Sequence, residues 1–143
     1  MTATEKIRAL VRGELEALGR HDAAGLVAHF APDCELVDLG DGGVVRGRAA
    51  LLAEVEELLA HVPDLRVAET RMVGEGGVAA AEILLAGTHS VEWRSHAPTG
   101  REFSWPTCSF YDLSASGEHI ARERMYFDAA QLDRQLSAVG GER

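Results

Sequence analysis

The sequence predicts an α+β fold: a curved, mainly antiparallel sheet packed against N-terminal helices, with a conical apolar pocket left open at one end. Two observations carry this. Apolar residues recur at three- and four-residue intervals as far as Leu59 and then switch to alternation, the strand period. Glycine- and serine-rich segments punctuate the second half at hairpin spacing. Helices first and strands second place the helices on one face of the sheet. A chain of 143 residues that is 46% apolar suits one domain over 1–143.

Ile7, Leu10, Val11, Leu15 and Leu18 share one helical face and mark a first helix from about Thr4 to Gly19. Asp22 is placed to cap a short second helix carrying Leu26, Val27 and Phe30, which Pro32 is expected to stop. A brief strand over Cys34–Leu39 runs into the turn Gly40-Asp41-Gly42-Gly43. Leu51, Leu52, Val55, Leu58 and Leu59 give a third helix, ended before Pro63. From Leu65 to Val73 alternate positions are set apart, and Gly74-Glu75-Gly76-Gly77 turns the chain into a strand over Val78–His89. Phe103–Leu113 and His119–Phe127 form a second pair across Ser114-Ala115-Ser116-Gly117. Asp128 then caps a short helix through Leu132 and Leu136, with Gln131 at the capping-box position.

Charge and composition exclude several classes. Fourteen basic against 23 acidic side chains leave a formal charge of −9, the wrong sign for neutralising phosphates, so no nucleic-acid partner is expected. The longest near-apolar run, Val78 to Ala86, is interrupted by Glu82 and falls short of the roughly 20 residues a membrane span needs. Met1 to Lys6 holds no apolar stretch, so no leader is read there and the expected location is cytoplasmic. Cys34 and Cys108 make neither a disulfide framework nor a CxxC pair, and the six histidines show no metal-ligand spacing. No metal and no cofactor are expected. Both glycine-rich turns contain an acid, which would repel phosphate.

Gly87-Thr88-His89, Pro98-Thr99-Gly100-Arg101, Gly117 to Ile120, Asp128 and Gln135-Leu136 form a pattern similar to the SnoaL-like polyketide cyclases, within the nuclear-transport-factor-like fold. Phe30-Ala31-Pro32-Asp33 through Asp38 and Gly47 also resembles the ketosteroid isomerases of that fold. The resemblance implies a cone of helices on a bent sheet and a homodimer through the outer sheet face. It places the His and Asp of the aldol-type cyclases on Ser109 and Met125, neither an acid or base near neutral pH. It places the proton-shuttling carboxylate of the isomerases on Asp38, and their oxyanion-hole Tyr and protonated Asp on Glu14 and near Cys108.

If Ser109 and Met125 face the cavity, as that resemblance implies, strand alternation brings Trp105, Thr107, Tyr111, Ala121, Glu123 and Phe127 to the same face and turns Arg122, Arg124 and Tyr126 outward. Glu123 among Trp105, Met125 and Phe127 would be desolvated and poised for acid–base work, or else paired with an arginine. Asp38 could act as a base at the pocket mouth, or simply bond the amides of its own turn. His89 could shuttle protons, or satisfy backbone groups at a strand end. The catalytic candidates are therefore Glu123, Asp38 and His89. Trp105, Thr107, Ser109, Tyr111, Met125 and Phe127 form the substrate wall, and Glu92–Gly100 is a lid over the rim. The expected partner is a hydrophobic small molecule, polyketide-like or steroid-like. The expected function is metal-free acid–base chemistry on it in bacterial secondary metabolism: cyclisation, isomerisation, hydration or cofactor-free hydroxylation. The alternative is a non-catalytic binding or accessory protein that kept the cavity.

Overall fold

A computed structural model describes residues 1–138 of the chain. Its elements are α1 (Ala3–Gly19), α2 (Ala23–Val27), β1 (Phe30–Asp38), β2 (Val44–Arg46), α3 (Arg48–His61), β3 (Arg66–Glu75), β4 (Val78–Thr88), β5 (Glu102–Leu113), β6 (Ile120–Phe127) and α4 (Ala129–Leu136). No helix among the described residues is long and apolar enough to cross a membrane.

Local chemistry sets the helix ends. The Thr2 hydroxyl accepts from the Glu5 amide while the Glu5 carboxylate accepts from the Thr2 amide, a reciprocal cap on α1. Asp22 and Asp128 cap α2 and α4 as expected, each accepting the amide three residues on. The buried face of α1 carries Ile7, Val11, Leu15 and Leu18, and also Glu14.

Six strands form one sheet in the order β2-β1-β6-β5-β4-β3. Neighbours are antiparallel except β1 and β6, which run parallel. Along β5 the residues Phe103, Trp105, Thr107, Ser109 and Tyr111 are buried, and Pro106 and Phe110 between them are exposed. That alternation seats one sheet face against the helices.

Two local expectations are corrected. Phe30 opens β1 rather than ending α2, and Pro32 does not stop a helix. Phe30 pairs with Ile120 but the next pair is Glu35 with Arg122, so β1 carries extra residues around Pro32. Proline lacks the N–H a regular ladder requires, and such an irregular stretch tolerates it. The short edge strand β2, paired with β1 through Glu35–Val37, was not anticipated, because three residues are too few to show a period.

Gly87 explains part of the Gly87-Thr88-His89 signature. A Cβ there would run into Val62, so the glycine lets the α3–β3 connection lie against β4. Thr88 then fastens that connection, donating its amide and hydroxyl to Asp64 at 2.9 and 2.7 Å.

Candidate active site

Helices α1 to α4 and the inner sheet face enclose a cavity of about 510 Å³. All six residues expected in the substrate wall line it, together with Leu36, Leu51, Val55, Ile83 and Leu85. Cross-strand pairing places Ser109 opposite Met125 and Tyr111 opposite Glu123. The irregularity between β5 and β6 falls at Asp112/Leu113, beyond these pairs, so the inward parity holds through the site.

Four polar side chains meet among this apolar surface. The Ser109 hydroxyl donates to Glu123 Oε2 at 2.7 Å, and the Tyr111 hydroxyl donates to Glu14 Oε1 at 3.0 Å. Glu14 and Glu123 are 4% and 8% exposed, and neither has a cationic partner among the described residues. Burial pushes the Glu123 carboxyl up to about 7, against the opposing hydrogen bonds of Ser109 and Tyr111. Burial, and then the charge of Glu123, push the Glu14 carboxyl well above its ordinary value. The Tyr111 phenol is also raised, first by burial and then by the two carboxylates. Of these four residues, Glu14 was missed as a site residue. Its signal was an acid at the spacing Ile7, Val11, Glu14, Leu18, on the apolar stripe of α1.

Asp38 is bonded within its own turn. Its Oδ1 accepts the amides of Gly40 and Asp41 at 2.9 Å each, closing the turn, and the residue also borders the cavity. Gly40 is required in that turn because the Phe127 ring occupies the space of a Cβ.

The rim loop between β4 and β5 contributes to the cavity wall. Trp93 and His96 bond each other's backbone, and Trp93 and Arg94 line the cavity. Arg94 binds Asp41 of the β1–β2 turn at 2.7 and 2.9 Å and Asp133 of α4 at 2.9 and 3.2 Å. Its guanidinium sits 6.0 Å from the Trp93 ring and 5.9 Å from Phe127. These contacts hold Arg94 and Ser95 in left-handed backbone, φ 52° and 66°, which side-chain-bearing residues rarely adopt.

His89 does not join the site. It is 2% exposed, is not among the cavity-lining residues, and has both ring nitrogens engaged. Nε2 lies 3.2 Å from the His96 carbonyl, which can only accept. Nδ1 lies 3.3 Å from the Thr99 amide, which can only donate, and 3.1 Å from the Thr99 hydroxyl. The ring is thus fixed as the Nε2–H tautomer and ties the rim loop to the end of β4. Among the described residues no three His, Cys, Asp or Glu side chains gather as a metal site.

A family model for the SnoaL-like polyketide cyclases matches residues 9–136. The chain belongs to that family. Solved structures share the fold at low identity. A candidate polyketide cyclase from Xanthomonas campestris pv. campestris superposes with a TM-score of 0.86 at 21% identity, covering 95% of this chain and 100% of that one. AclR, a candidate hydroxylase from Streptomyces galilaeus, gives 0.80 at 22% identity, with 93% and 85% covered. IdmH, a candidate polyketide cyclase from Streptomyces antibioticus, gives 0.78 at 24% identity, with 91% and 97% covered. No curated protein matches the chain in sequence. Within this SnoaL-like cone, Ser109 and Met125 do face each other across β5 and β6. The buried carboxyl of Glu123 lies one inward pair along, opposite Tyr111, which bonds Glu14 of α1.

Proposed function

We propose that this SnoaL-like protein is an enzyme that moves a proton on a hydrophobic, polyketide-like or steroid-like carbonyl compound, with Glu123 as the base. The observation that carries the reading is a buried carboxyl on a mainly apolar cavity wall, raised to about 7 by desolvation. A base with that pKa is substantially ionised at neutral pH yet binds a proton tightly enough to remove one from carbon beside a carbonyl. Ser109 holds Oε2 and so fixes the plane of the carboxylate. Trp105, Trp93 and Phe127 supply flat apolar surface for a ring system, and a cavity of about 510 Å³ falls within the range typical of small-molecule sites. Enolisation of this kind is a step common to isomerisation and carbon–carbon ring closure.

The test uses 2-tetralone, a flat bicyclic ketone, with loss of its α-protons into D2O followed by NMR. The wild-type chain is expected to accelerate exchange, with a rate that rises through pH 7, and Glu123→Gln to remove 10²- to 10⁴-fold of that acceleration, roughly the contribution of a positioned base. No acceleration by wild type, or an unchanged rate in Glu123→Gln, refutes the reading. The rival reading, a cavity kept for binding alone, draws on Ser109 and Met125, which offer no acid or base where the aldol dyad is placed. It predicts saturable binding of 2-tetralone with no exchange. We also propose that the chain pairs with a second copy through the outer sheet face, where Phe110 and Tyr126 stand 40% and 44% exposed and in contact on adjacent strands.

A further inference from the structure

Glu14 is a buried acid that a base at Glu123 does not by itself require. We infer that Glu14 is the proton donor of the site: it stores one proton beside Glu123 and delivers it through the Tyr111 hydroxyl to the substrate oxygen. The inference rests on the acid–base reading above and adds the acid to it.

The argument is a count of protons and partners. Glu14 from α1 and Glu123 from β6 meet around Tyr111 and Ser109 of β5. Ser109 donates to Glu123 and Tyr111 donates to Glu14, and among the described residues no other side chain donates to either carboxyl. Arg122 and Arg124, the cations of β6 itself, are on the opposite face and pair with Glu35 and Asp112. The lining arginine, Arg94, is already bonded to Asp41 and Asp133, and Asp38, Glu54 and Glu57 add further acids to the wall, so two negative charges at Glu14 and Glu123 would share the interior without a cation of their own, a state far costlier than keeping one proton. Glu14 is the more deeply buried of the two, at 4% exposure against 8%, and its hydroxyl bond from Tyr111 is 3.0 Å long, whereas Glu123 has the shorter 2.7 Å bond from Ser109 and is also favoured in its ionised form by Tyr111. The retained proton consequently belongs on Glu14. The direction in which burial and the Glu123 charge push the Glu14 carboxyl agrees with that placement.

The step balances within the site. A Glu123 oxygen takes the α-proton, and the electron pair of the broken C–H bond forms the enolate. With substrate bound, the Tyr111 hydroxyl proton turns from Glu14 to the substrate oxygen and the Tyr111 oxygen accepts from protonated Glu14; the enolate oxygen then takes the Tyr111 proton while Tyr111 takes the proton of Glu14. The products are a neutral enol, protonated Glu123 and ionised Glu14, so the pair carries one proton before and after. Reversal, with the enol protonated at the same or a different carbon, restores the starting state.

Two measurements test this. In infrared difference spectra at pH 8, a protonated-carboxyl C=O band is expected in wild type and in Glu123→Gln, and is expected to vanish in Glu14→Gln. Its absence from wild type, or its persistence in Glu14→Gln, overturns the inference. The second measurement is 2-tetralone exchange against pH. Wild type is expected to show a bell, with a rising limb near 7 for Glu123 and a falling limb at higher pH for Glu14. Glu14→Gln, which preserves shape and an acceptor for Tyr111, is expected to lose about a hundredfold or more in rate and to lose the falling limb. A purely structural Glu14 would leave that limb in place. Exchange that collapses in Glu123→Gln but persists in Glu14→Gln sinks the inference and spares the base. Exchange untouched by either substitution sinks both.

Discussion

At Glu123 the proposed role as a base and the stability of the protein pull in opposite directions. Its carboxyl titrates near 7 in the folded state and near 4.5 when unfolded, so the folded state holds the proton more tightly. The stabilisation is fully present below about 4.5 and is lost as pH rises through about 7. Glu123→Gln stays neutral at every pH and escapes that loss. Its melting temperature is expected to exceed that of wild type by several degrees at pH 8, and to match it within a degree or two at pH 5, by calorimetry at both values. A variant less stable than wild type at pH 8 would show that Glu123 is held by a charge partner. His89 offers the opposite case, a titratable residue used for structure. Its buried ring bonds Thr99 and the His96 carbonyl, so His89→Ala removes both ties between the rim loop and the end of β4 and strips the Thr99 amide of its acceptor. A stability loss of about 2–3 kcal/mol in urea unfolding is expected, with the rising limb of the exchange profile unmoved.

The rim loop is the element whose position depends most on ions. Arg94 joins Asp41 and Asp133, which belong to elements far apart in sequence, and its side chain is only 16% exposed. Both acids help hold its guanidinium proton further above the ordinary arginine value, and Arg94 in turn holds the Asp133 carboxyl below its own. With Arg94→Ala the left-handed turn at Arg94 and Ser95 loses its anchor. Hydrogen exchange at the Trp93 and His96 amides is expected to quicken at least roughly tenfold, because those two bonds then open locally. Unchanged protection would mean that aromatic packing of Trp93 on Trp105 and Phe103 holds the loop by itself. A second element-level effect concerns the β1–β2 turn. Gly40→Ala sets a methyl group against the Phe127 ring, which lines the cavity. A cost of about 1–3 kcal/mol is expected, along with weaker 2-tetralone binding.

Across the whole molecule, both tryptophans of the sequence line one cavity, so intrinsic fluorescence reports its occupancy without any reaction. Titration with 2-tetralone is expected to quench or shift the emission saturably. The ketone's failure to do so would mean that the described cavity is closed to it. The proposed pairing of two copies is read by light scattering: the mass is expected to correspond to a dimer of 15.4 kDa chains and to fall to that of one chain in Phe110→Glu. A single-chain mass for the unaltered protein would remove the proposal.

Much of this fold was legible in periodicity and capping, which are local. The apolar stripe of α1, the Asp22 and Asp128 caps and the β3–β4 turn follow from neighbours a few residues apart, and strand alternation gave the inward parity of Trp105 through Tyr111 once the family resemblance had set Ser109 toward the cavity. That parity also brought Glu123 to the inner face. Three features are tertiary. The parallel pairing of β1 with β6 joins segments more than 80 residues apart, and it absorbs Pro32 in an irregular stretch that read locally as a helix stop. His89 shares its strand's pattern with cavity residues, yet the return of the chain at Thr99 takes up its ring. Glu14 looked like an interruption of an apolar helical face until Tyr111, 97 positions away, came to lie against it. The sequence by itself determined which faces are apolar, because that depends on spacing along one element. Only the tertiary structure decided which acids share a proton, because desolvation and charge act through space between elements brought together by folding.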